Sequence, residues 1–111
     1  MIGERIYRNF GFLKELAMTK SHTKRLKLLR NANTEQLLSV IEAAANVGDF
    51  QTFCPTKHEI NKLKPHRRYI QKVSRTTNPN EARLVLQKGG GPFFAALLVP
   101  FLAEVVRSII N

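Results

Sequence analysis

The stretch Asn33–Gly48, NTEQLLSVIEAAANVG, decides the fold. Its apolar residues Leu37, Leu38, Ile41, Ala44 and Ala45 recur at i, i+1, i+4, i+7 and i+8, the period of an amphipathic helix rather than the alternation of a strand. Asn33 is placed to cap the helix, with Gln36 three residues on, and Gly48 supplies a stop. The core is expected to form around this helix.

Helical signals continue on both sides of it. Upstream, Tyr7 to Met18 reads as a helix interrupted at Gly11, and Lys20 to Arg30 as a second, with Leu26 and Leu29 turned away from its lysines. Downstream, the loop DFQTFCP leads to Thr56 and Glu59, a capping-box pair, and to a short helix with Ile60 and Leu63 inward that ends near Pro65. Pro65 can open the next helix, PHRRYIQKVSR, in which Tyr69, Ile70 and Val73 share a face. Asn78 then caps a further helix with Pro79 at its first position, Glu81 at its third, and Ala82, Val85 and Leu86 inward. Strand signal is scarce and no internal repeat is visible. The expected fold is all-α: a compact bundle of five or six short helices with an apolar C-terminal helix after a glycine-rich hinge.

A chain of 111 residues with 43% hydrophobic content suits one small domain with a modest core. Residues 1–88 read as a basic helical domain, 89–91 as a glycine hinge and 92–111 as an apolar C-terminal helix. These make one structural domain if the last helix packs back. The lone cysteine, Cys54, cannot form an internal disulfide, which favours a reducing compartment. The opening MIGERIYRNFGFLKELAM carries Glu4, Arg5, Arg8, Lys14 and Glu15 and lacks the continuous apolar core of a secretory signal, so the expectation is a protein that is not secreted.

The formal charge of +10 is unevenly placed. Residues 20–31, KSHTKRLKLLRN, hold five lysines and arginines and no acid, and residues 57–75 hold seven against the single Glu59. The remainder of the chain is almost neutral. On a helix, Lys20, Lys24 and Lys27 fall on one face, and Arg68, Lys72 and Arg75 lie opposite Tyr69, Ile70 and Val73. Like charges at this spacing cost a helix roughly 0.2–0.5 kcal/mol per pair, so unneutralised stripes are an odd choice for solubility alone. The candidate phosphate contacts are Lys20, Lys24, Arg25, Lys27, Arg30, Lys64, Arg67, Arg68, Lys72 and Arg75. Their spread over two helices, instead of concentration at the start of one recognition helix, suits nonspecific contact with double-stranded DNA or another polyanion.

Chemistry of other kinds finds little support. The eight acidic residues are scattered singly, with no nucleophile–base pair among predicted neighbours. Cys54, His58 and His66 are the one possible metal-ligand group, but structural zinc takes four ligands at tighter recurring spacing. Gly89, Gly90 and Gly91 follow no strand and precede no Gly-Lys-Ser/Thr, which excludes a phosphate-binding loop and leaves a hinge. No enzyme activity, cofactor or metal is expected.

The tail demands its own account. Pro92 to Ala103 contains no charged residue. As a helix it spans ~18 Å at ~1.5 Å per residue, too little for a bilayer core of ~30 Å. Pro100 would also kink it. Three roles remain. The segment completes this chain's own core, the commonest case, or it docks on a partner such as a capsid protein or a second copy, or it lies in an anionic membrane interface. Phe93, Phe94, Leu97, Leu98, Phe101 and Leu102 are the docking candidates.

Three segments carry a resemblance: LAMTKSHTKRLKLLRNANTEQLLSVIEAAANV, KLKPHRRYIQKVS and LVLQKGGGPFFAALLVP. Together they resemble a family of small basic proteins encoded by Maverick/Polinton elements and adintovirus-like viruses of animals, over about Leu16 to Pro100. The resemblance implies a virion core or minor structural protein of an element with a double-stranded DNA genome, found in the virion or the host nucleus. It brings no catalytic residues. One feature departs from the maturation-cleavage pattern of adenovirus-type proteases: in LQKGGG, Leu86 lies one position too far upstream of Gly89.

Overall fold

Asn33 and Gln36 close a reciprocal cap. The Gln36 N–H donates to Asn33 Oδ1 at 2.8 Å, and the Asn33 N–H donates to Gln36 Oε1 at 2.9 Å. Two otherwise orphaned donors are thereby satisfied, and the central helix begins at the next residue. In the computed structural model, which describes residues 3–48, 57–89 and 91–110, the order is α1 (Glu4–Arg8), α2 (Phe10–Met18), α3 (His22–Asn31), α4 (Thr34–Gly48), α5 (Lys57–Leu63), α6 (Arg67–Ser74), α7 (Pro79–Gln87) and α8 (Gly91–Ile110). Among the described residues there is no strand, and the architecture is an all-α bundle. The Thr56–Glu59 capping pair, Cys54 and Gly90 lie outside what is described.

One core draws side chains from all eight helices, among them Ile6, Leu16, Leu29, Leu37, Leu63, Ile70, Leu86 and Phe94. Helix α4 is its axis, packed against α1, α2, α6, α7 and α8. Its buried set is Leu37, Val40, Ala43, Ala44 and Val47, with Ser39 also enclosed. That corrects the expected face: Leu38 and Ile41 are only half-buried and Ala45 is exposed. A helix surrounded by neighbours buries more than one stripe, and the stripe chosen depends on which neighbour packs tightest.

The N-terminal helical region breaks at Asn9, not Gly11. Asn9 adopts φ −108°, ψ 18°, and both its backbone N–H (3.1 Å) and its side-chain Nδ2 (2.8 Å) bond to the Arg5 carbonyl. This local competition ends α1, whereas Gly11 sits inside α2 facing open space. Helix α3 likewise starts later than expected. Ser21 accepts a hydrogen bond from the Lys24 N–H at 3.3 Å, so Lys20 precedes the helix. Pro65 belongs to a 3-10 turn, Lys64–His66, and α6 begins after it at Arg67. The Asn78 cap forms as expected, its side chain accepting from the N–H groups of Asn80 (2.9 Å) and Glu81 (3.4 Å).

Helix α8 packs chiefly on α2 and also on α4 and α5. It runs through Pro100 as one helix. The lost backbone donor is tolerated because Leu97, Leu98, Phe101, Leu102 and Val105 are buried on either side of it.

Candidate nucleic-acid interface

Among the described residues, Glu4, Glu35, Glu42 and Glu104 are held in ion pairs. Arg5 lies 3.5 Å from both Glu35 and Glu42, and Arg8 lies 2.8 Å from Glu35 and 3.7 Å from Glu4. The hydrogen bond from Arg8 holds the Glu35 carboxyl below its ordinary range, helped by the charge of Arg5. The same hydrogen bond raises Arg8. Glu104 pairs with Arg107 at 2.7 Å. The α1–α4 surface is thus locally neutralised.

The charge-dense segments form no such ion pairs among the described residues, although Glu15 lines a cleft with Lys24 and Lys27. Lys20, Lys24, Lys27, Arg30, Lys64, Arg67, Arg68, Lys72 and Arg75 are all exposed. Among the described residues none of the nine forms an ion pair. Lysine and arginine heads held in water without a carboxylate are available to phosphate oxygens.

Helix α7 arranges these cations into two groups. Arg83 donates to the Ala32 carbonyl, at the end of α3, at 2.8 Å. Glu81, two residues earlier and therefore about 200° around the helix, lines a shallow cleft with Arg68, Lys72 and Arg75 of α6. Helices α3 and α6 accordingly flank α7 on opposite sides. Lys24, Lys27 and Arg30 form one group, and Arg68, Lys72 and Arg75 the other, with the carboxylate of Glu81 beside the second. Lys64 and Arg67 border a different, mainly apolar cleft with Val47, Ile60 and Ile70. Lys88, outside both charge-dense segments, is exposed at the end of α7.

Arg25 requires correction. Only 3% exposed, it is not a phosphate contact in this structure. Its Nη1 donates to the Thr19 carbonyl at the end of α2 (3.0 Å), its Nη2 lies 3.4 Å from His22 Nδ1, and the guanidinium sits 5.7 Å from the Phe94 ring centroid. A cation at a helix C-terminus and over an aromatic face is favourably placed without a carboxylate. Arg83 likewise donates to a helix-end carbonyl, that of Ala32 after α3, without an aromatic partner among the described contacts.

The tail residues also differ from a docking surface. Phe93, Phe94, Leu97, Leu98, Phe101 and Leu102 are all buried. Phe93 stacks on Tyr69, meets Phe94 edge to face at 5.0 Å, and lies 5.9 Å from the His66 ring. Gly89 is no open hinge: it is buried, and an added Cβ would stand 3.0 Å from the Tyr69 hydroxyl and 3.3 Å from Phe93. Gly91 begins α8.

Among the described residues no group of three or more His, Cys, Asp or Glu side chains could hold a metal ion; His58 is exposed and His66 half-buried. No single described helix is long and apolar enough to cross a membrane, although α7 and α8 taken together across a 119° bend reach that length and composition.

Comparison with family models, curated proteins and solved structures finds no match to this chain.

Proposed function

We propose that this protein is a non-enzymatic nucleic-acid-binding protein that contacts DNA phosphates without reading sequence. The observation that carries this reading is the excess of unpaired cations: the ion pairs among the described residues involve only Arg5, Arg8 and Arg107, while nine exposed lysines and arginines of the two charge-dense segments form none. Cations distributed along helix faces meet a phosphate backbone at many points, and release of its counterions drives such binding. The resemblance to Maverick/Polinton and adintovirus-like proteins supplies a context, a virion core or minor structural protein in a virion or host nucleus.

Membrane action through α8 is the weaker reading. It would require six large apolar side chains, Phe93 to Leu102, to leave the core, at a cost on the order of 10 kcal/mol.

The test is titration of purified full-length protein against a random-sequence duplex over a range of salt. Contact with about six phosphates gives log K falling against log salt with a slope near −5. Absence of binding at low salt, or a slope near zero, would overturn the reading.

A further inference from the structure

Between Pro92 and Ala103 helix α8 carries no charged residue, and Glu104 and Arg107 follow only in its last turns. Over that stretch its inner face fills the core, yet its outer face, with Ala95, Val99 and Ala103 exposed, is apolar too; Val99 is 48% exposed. A helix at a protein surface ordinarily turns polar residues outward. Here the outer face forms one wall of a groove of about 530 Å³. Ala95, Val99, Pro100 and Ala103 make its apolar side, and His58 and Lys62 of α5 its rim.

We propose that this groove receives an amphipathic helix from another protein, apolar residues against α8 and carboxylates toward Lys62 and His58. The groove is concave, which fits a rod and not the plane of a bilayer. Its exposed side chains are short, so a helix axis can approach to about 8 Å, whereas interfacial insertion relies on Leu, Phe or Trp. The described rim side chains include no acid, and both Lys62 and His58 are exposed without an ion pair among the described residues. Charge complementarity therefore selects an acidic partner. A second copy of a chain with formal charge +10 would bring the same cations to the same rim. From Ala95 to Ala103 the contact extends ~12 Å along α8, which two to three turns of a partner helix cover with anchors at i, i+4 and i+7.

The inference is independent of DNA binding, and its test separates the two surfaces. Isotope-labelled full-length protein is titrated with three synthetic helical peptides. One has leucines at i, i+4 and i+7 and glutamates elsewhere; the second replaces the glutamates by lysine; the third replaces the leucines by glutamine. The first peptide should bind at least tenfold more tightly than the other two and shift the amide signals of Lys62, Ala95, Val99 and Ala103. Val99→Glu should weaken it at least tenfold with an unchanged circular dichroism spectrum, and Ala95→Gln serves if that variant fails to fold. Equal binding of the first and third peptides, or shifts confined to α3 and α6, would overturn the proposal. So would binding to phosphatidylserine vesicles, or self-association in sedimentation, that Val99→Glu abolishes while peptide affinity stays unchanged.

Discussion

Tyr69 lies flat against Phe93, ring centroids 4.3 Å apart and planes 24° from parallel. The tyrosine hydroxyl donates to the Val85 carbonyl. The stack joins α6 to the start of α8, and Gly89 lies directly against it. An aromatic pair of this kind contributes about 0.5–1.5 kcal/mol beyond its buried area.

Gly89→Ala should destabilise the protein, because no described glycine has a positive φ and the penalty comes from space alone. The new methyl meets the Tyr69 hydroxyl, the Leu86 carbonyl and Phe93 within 3.0–3.3 Å. Overpacking of this sort costs about 1–3 kcal/mol, readable as a lower urea midpoint with an unchanged slope. Gly11→Ala, at a helical site open to solvent, should instead stabilise by about 0.5–1 kcal/mol.

Tyr69 gives the fold an alkaline limit. Burial pushes its hydroxyl up to about 12 from an ordinary 10.0. The folded state therefore holds the proton more tightly than the unfolded chain does. The corresponding stability is fully present below about pH 10 and is lost as pH rises toward about 12. Lysines also titrate there, so the comparison is with Tyr69→Phe, whose stability should fall less steeply across that window in denaturant titrations.

Arg25 and Lys27 should separate stability from binding. Arg25→Ala removes the bond to Thr19 and the contact with Phe94, for an expected loss of about 2–4 kcal/mol. DNA affinity of the protein that remains folded should hardly change. Lys27→Ala, at an exposed position, should leave stability within about 0.5 kcal/mol while weakening duplex binding.

The α6 group can be counted by salt. Replacing Arg68, Lys72 and Arg75 together by alanine should flatten the log K against log salt slope by roughly 2–3, since each phosphate contact contributes about 0.9. The loss should be the same on every duplex sequence. A sequence-dependent loss would instead indicate contact with base edges.

Local signals were legible, and relations between distant elements were not. The Asn33–Gln36 and Asn78 caps were readable because a cap is chemistry between residues two or three positions apart. The inward Ile70 and Val73 followed from one clear stripe opposite Arg68 and Lys72. Helix α4 was misread in phase because Leu37, Leu38, Val40, Ile41, Ala43, Ala44 and Val47 leave it apolar through most of its circumference. Arg25 looked like its neighbours in a run of cations; only the end of α2 and Phe94 draw it inward. Gly89 shared a glycine run with Gly91, yet its role is set by Tyr69, twenty positions upstream.

The carbonyl-bound arginines, Arg25 and Arg83, carry an expectation about how this sequence drifts over time. On the proposed reading, phosphate requires only positive charge at exposed positions such as Lys24, Lys27 and Lys72, so lysine and arginine should exchange freely there among relatives. At positions 25 and 83 a flat guanidinium reaches a helix-end carbonyl while making a second contact, to His22 and Phe94 in one case and to Asn80 in the other. Lysine offers no equivalent fork. Two positions inside an otherwise interchangeable basic composition should therefore stay arginine.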